Sequence, residues 1–152
     1  MMNLQHPEDP TWVLIRRLGY AGLIPFVFLA LCLWVVGEDL HPYVALSMQA
    51  YGGVIVSFLG GIHWGVGFRN AITTPQAPPV HFTWGVMPSI LAWIGVMMPA
   101  FAGLPLLGFV LIGCYLVGRK TWPAVGLAPW LTMRLQLTAV ASLSCFVAAG
   151  AT

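Results

Sequence analysis

YGGVIVSFLGGIHWGVGF, residues 51–68, contains no Asp, Glu, Lys or Arg, and the apolar run it belongs to begins near Tyr43. A helix rising about 1.5 Å per residue needs about 20 apolar residues to cross a hydrocarbon core of about 30 Å. Tyr43–Phe68 is long enough. Its apolar residues are continuous rather than alternating, which points to a spanning helix and not to a strand of a barrel.

The same pattern extends outward in both directions. Apolar segments cover roughly Leu18–Val36, Tyr43–Phe68, Phe82–Met98, Leu104–Val117 and Trp130–Ala149. They are separated by Gly-Glu-Asp-Leu-His-Pro at 37–42, by a Pro-rich stretch at 69–79, by Pro99-Ala-Phe-Ala-Gly103, and by Gly-Arg-Lys-Thr-Trp-Pro at 118–123. Across 152 residues, 59% are hydrophobic and only 7% charged, against about 25% charged in soluble proteins. Such faces need lipid as their solvent, and in lipid every backbone polar group must be paired internally. The reading is a single all-α domain over residues 1–152, a polytopic bundle of five transmembrane helices.

Charge placement gives an orientation. With the N-terminus in the cytoplasm, Arg16, Arg17, Arg69, Arg119 and Lys120 all lie inside, with Arg134 near the inner end of the last span. Glu38 and Asp39 then lie outside, as does the C-terminus. The first segment is followed by Gly-Glu-Asp-Leu-His rather than a small-x-small site, so it is expected to remain as a helix. Cys32, Cys114 and Cys145 sit in three different spans without CxxC spacing and read as small buried hydrophobes. No P-loop, GxSxG or HExxH is present, no metal is indicated, and no basic patch suggests nucleic acid.

Within the second span, Gly53, Ser57, Gly61 and Gly65 recur every four residues, with Gly60 beside them. A stripe of small residues lets helices approach closely in lipid, so these positions are expected to pack against neighbours, and Gly61→Leu to disrupt that packing. His63 points elsewhere, within about 60° of Gln49, Gly52, Val56, Leu59, Gly60 and Gly67 on the helical wheel. This strip forms a groove for a partner helix or a ligand. Three readings of His63 stand: an interfacial pair with Trp64, a buried hydrogen-bonding histidine, or a ligand-binding, proton-relay or catalytic group.

Trp84 and Pro88 shape the third span, Pro88 freeing the carbonyl of Trp84. Arg134 lies four residues into the last apolar segment, close enough to the inner surface to snorkel or to bind an anionic lipid head. Alternatively Arg134, His63 and His81 converge with Trp64 and Trp84 in a cationic, aromatic pocket for a phosphate or quinone head group. That arrangement requires spans two, three and five to meet.

Taken together, Leu18-Gly-Tyr-Ala-Gly-Leu-Ile-Pro-Phe, Tyr51 through Gly65, Trp84-Gly-Val-Met-Pro-Ser and Arg134-Leu-Gln-Leu-Thr resemble the DUF3429 family, which includes the eukaryotic transmembrane protein 69 proteins. The resemblance covers almost the whole chain, and Ser-Phe-Leu-Gly-Gly-x-His-Trp-Gly is its most specific block. It implies a bacterial member of a family with mitochondrial relatives in eukaryotes. It brings no reaction and no catalytic residue, so His63 gains only the status of a signature position.

Three functions are consistent with these residues. The first is a non-enzymatic inner-membrane accessory or assembly component that binds lipid, partner helices or a second copy of itself. The second is a small-solute or proton transporter, although both Glu and both Asp lie outside the spans. The third is an intramembrane protein that binds a quinone, haem or lipid head group around His63, with the cofactor itself left open by the sequence.

Overall fold

The computed structural model describes residues 9–74 and 79–152. Helix α1 (Pro10–Ala21) is followed by α2 (Ile24–Val35), α3 (His41–Thr73), α4 (Val80–Met97), α5 (Ala100–Thr121) and α6 (Leu131–Ala149). Short 3-10 turns at Pro123–Val125 and Ala128–Trp130 join α5 to α6. Taking α1 and α2 as one interrupted segment, Pro10–Val35, the described residues form five helical stretches long and apolar enough to cross a membrane. Large apolar side chains such as Phe28, Trp34, Phe58, Phe101 and Phe109 cover its outside, the pattern of a surface solvated by lipid.

Local chemistry sets the helix ends. Asp9 caps α1 by accepting from the Thr11 amide at 2.7 Å, and Pro10 occupies the first turn, where its missing N–H costs nothing. The first segment breaks at Gly22–Leu23, and Pro25 sits in the first turn of α2. The Tyr51 hydroxyl donates to the Gly22 carbonyl at 2.8 Å, tying the break to α3. Where the apolar run suggests an end near Phe68, α3 continues to Thr73.

Helix α3 is the axis of the bundle, packed most extensively on α4 and also on α2 and α5. Its buried residues include Ala45, Met48, Gln49, Gly52, Val56, Leu59, Gly60, His63 and Gly67, a helical face at steps of three and four. Gly60 and Gly85 form the α3–α4 crossing point. A Cβ on Gly60 would strike the Gly85 carbonyl, and one on Gly85 would come within 2.9 Å of the Gly60 carbonyl. Farther along, the Gln49 amide donates to the carbonyls of Gly95 at 3.0 Å and Met98 at 2.9 Å, holding the α4–α5 turn onto α3. Helices α5 and α6 pair through Ser142, which donates to the Gly108 carbonyl at 3.1 Å.

The four-residue stripe divides. Gly53 packs on Ala92 and Val96 of α4, and Ser57 is half-buried. Gly61 and Gly65 are exposed, with no atom of another element within 4 Å of where a Cβ would stand. The reason is geometric: a step of four residues turns about 400°, so the stripe drifts about 40° per step and leaves the packed face within three steps. The strip that carries His63, read from the sequence as a groove for a partner helix or a ligand, is the one on which α4 and α5 of the same chain pack.

Candidate functional site

Antiparallel connections bring the C-terminal part of α3, the start of α4, the end of α5 and the start of α6 to one end of the bundle. Here α3 supplies His63 and α4 supplies His81, only 2% and 5% exposed. Their Nδ1 atoms are 3.3 Å apart, and the rings stack at 28° with centroids 5.6 Å apart. A hydrogen bond between two imidazole nitrogens requires one to donate and the other to accept, so at least one of the two rings is neutral while the bond is made.

Trp122 connects this pair to α6. Its ring is 2% exposed and lies 6.1 Å from His63, centroid to centroid. On α6's side it stacks on Trp130 at 5.2 Å, and the Arg134 guanidinium carbon lies 5.4 Å from its ring centroid, within cation–π range. Spans two and three therefore meet directly, through α3 and α4, whereas the last span reaches them mainly through Trp122 of the α5–α6 connection.

Arg134 is 5% exposed, buried where a snorkelling side chain would reach out to the surface. Among the described residues its Nε has no hydrogen-bond partner, and the same holds for Thr138 Oγ1 and for the indole Nε1 atoms of Trp84, Trp122 and Trp130. Buried polar atoms are paired in the great majority of cases, so five orphans in one protein call for a reason. Three of these residues, Trp130, Arg134 and Thr138, line one chamber of about 320 Å³ between α1, α3 and α6. The rest of its wall is apolar, including Gly19, Phe26, Ile55, Leu59, Met133 and Leu137. Leu18 and Phe58, both well exposed, also line it, so it meets the outer surface between α1 and α3.

Among the described residues neither Trp64 nor Trp84 makes a ring contact with His63 or His81. The Trp64 indole donates to the Phe82 carbonyl at 3.1 Å and sits among Phe68 and Phe82, and its ring is 39% exposed. Trp84 is half-buried on α4. Trp122 was hidden from sequence reading because Gly-Arg-Lys-Thr-Trp-Pro has the composition of a connection. A tryptophan amid those turn-forming residues was the one available signal. Trp130 read from the sequence only as the boundary of a span.

The geometry also bears on cofactors. Among the described residues no three His, Cys, Asp or Glu side chains group as a metal site. Two axial haem histidines stand on opposite faces of the macrocycle, whereas His63 and His81 are in contact and leave no gap for one between them.

Comparison with known proteins agrees with the membrane reading. Transmembrane protein 69 of Xenopus tropicalis is 42% identical over 81 residues, covering 53% of this chain and 31% of that protein. Transmembrane protein 69 of Mus musculus is 33% identical over 78 residues, covering 51% of this chain and 31% of that protein. The matched stretch thus spans under a third of either relative. No solved structure matches the chain. The family model described as "Protein of unknown function (DUF3429)" matches residues 13–150, and this multi-pass membrane protein belongs to the DUF3429 family.

Proposed function

We propose that the protein is a non-enzymatic component of the bacterial inner membrane that holds an amphiphile of the bilayer in the chamber between α1, α3 and α6. The observation that carries this reading is the chamber itself: about 320 Å³, apolar along Phe26, Ile55, Leu59 and Leu137, with polar groups gathered on one wall. That volume lies at the lower end of small-molecule sites, about 300–1,000 Å³, and suits one chain of a lipid. A mouth flanked by Leu18 and Phe58 gives lateral access from the membrane.

The orientation proposed is N-terminus inside and C-terminus outside. Arg119 and Lys120 end α5 at the His63 end of the bundle, and Glu38 and Asp39 occupy the α2–α3 turn at the opposite end. This is the polarity that the distribution of Lys and Arg favours.

The test is extraction of the whole protein directly into lipid nanodiscs, followed by native mass spectrometry of what it retains. One amphiphile per chain is expected, and Ile55→Trp, which fills the chamber, is expected to expel it. Wild-type protein that retains only exchangeable bulk lipid would refute the reading.

A second reading, proton transfer through the buried histidines, is favoured by the 3.3 Å contact of His63 and His81. It predicts proton flux across vesicles that His63→Ala removes; no flux above that of empty vesicles excludes it.

A further inference from the structure

The polar residues on the chamber wall, each with a buried atom that no protein group answers, specify the head group of its occupant. Trp130, Arg134 and Thr138 follow one another at four-residue steps, within about 12 Å along the helix at about 1.5 Å per residue. Tryptophan Nε1 and arginine Nε only donate, and the guanidinium stays protonated. A charge taken out of water must be paired. The nearby cation–π contact with Trp122 does not answer the buried Nε, which has no hydrogen-bond partner among the described residues.

The chain's own described carboxylates do not answer them. Asp9 caps α1, and Glu38 and Asp39 lie at the other end of the bundle. A neutral carbonyl acceptor, such as that of a quinone, would satisfy a donor and leave the charge. An anionic oxygen group satisfies both, and a head group with no ammonium of its own leaves that anion's charge to be balanced by Arg134 alone.

We infer that the chamber takes an acidic lipid of the surrounding bilayer, one acyl chain lying along Ile55, Leu59 and Leu137 and the anionic head group facing Trp130, Arg134 and Thr138. This rests on the reading of the chamber as an amphiphile site and adds charge selection to it. The lipid enters sideways past Leu18 and Phe58, tail against the apolar wall, so that its charge is desolvated only where Arg134 meets it.

The test uses the full chain in nanodiscs made of equal parts phosphatidylglycerol and phosphatidylcholine, with retained lipid counted by native mass spectrometry. Wild-type protein is expected to retain phosphatidylglycerol over phosphatidylcholine by about tenfold or more, the scale of a charge-assisted hydrogen bond. Arg134→Gln is expected to abolish that preference and Thr138→Val, which is nearly isosteric and keeps the packing, to reduce it about threefold. Arg119→Gln, an exposed cation at the same end, is expected to leave it unchanged. Equal retention of the two lipids, or a preference that survives both Arg134→Gln and Thr138→Val, would overturn the inference while leaving an amphiphile in the chamber. Loss of the preference in Arg119→Gln would overturn it in favour of a surface effect. Absence of any retained lipid, with Ile55→Trp indistinguishable from wild type, would overturn the chamber reading as well.

Discussion

His63 and His81, on different helices, meet Nδ1 to Nδ1 at 3.3 Å in the interior, and this contact joins the most specific sequence block of α3 to the first turn of α4. Each imidazole is the other's polar partner. Removing one leaves a buried nitrogen unpaired, at a cost of about 1–3 kcal/mol. His63→Ala and His81→Ala are each expected to destabilise the bundle, and the double variant to lose less than the sum, with a coupling of about 0.5–3 kcal/mol. Unfolding titrations of the four proteins in mixed micelles measure it; additivity within about 0.5 kcal/mol would separate the pair energetically.

Gly60 and Gly61 are adjacent in sequence and opposite in consequence. Gly60→Ala drives a methyl into the Gly85 carbonyl, so α3 and α4 must part, and a loss of about 1–3 kcal/mol is expected. Gly61→Ala meets no neighbour and gains helix propensity, so no loss is expected and a gain of up to about 1 kcal/mol. Thermal unfolding of the two variants decides it, and a destabilising Gly61→Ala would mean that a partner or second copy covers that side in the membrane.

This contrast shows which features a sequence makes legible. Five helical segments follow from the lengths of the apolar runs and from Gly, Pro and charge at the breaks, because lipid imposes those rules on any chain. Facing is harder to read. The stripe through Gly53, Ser57, Gly61 and Gly65 keeps a step of four while the helix turns every 3.6 residues, so its later members rotate into the open. His63 and Trp64 are neighbours about 100° apart, which buries one against His81 and Trp122 and leaves the other, bonded to the Phe82 carbonyl, partly exposed. Arg134 is close enough to the helix start to snorkel, and only the tertiary arrangement shows Trp122, itself stacked on Trp130, lying over it. A non-local covering of this kind has no periodicity and therefore no local signature.

The Tyr51 hydroxyl ties the break between α1 and α2 to α3. Tyr51→Phe keeps the T-shaped ring contact with Phe26, whose centroid lies 5.1 Å away, and removes the bond to the Gly22 carbonyl. A loss of about 1 kcal/mol is expected. Because α1 forms one wall of the chamber, the same variant is expected to raise hydrogen exchange in α1 without a matching rise in α5. Uniform exchange through the bundle would show that the break needs no tether.

The most direct measurement is photocrosslinking from a diazirine placed on the acyl chain of phosphatidylglycerol, with adducts mapped by peptide sequencing in nanodiscs. Adducts are expected to concentrate on the chamber residues Ile55, Leu59, Met133 and Leu137, and to disappear from them in Ile55→Trp. Adducts spread over exposed lipid-facing residues such as Phe101, Phe109 and Leu143, with none in the chamber, would contradict an acyl chain bound between α1, α3 and α6.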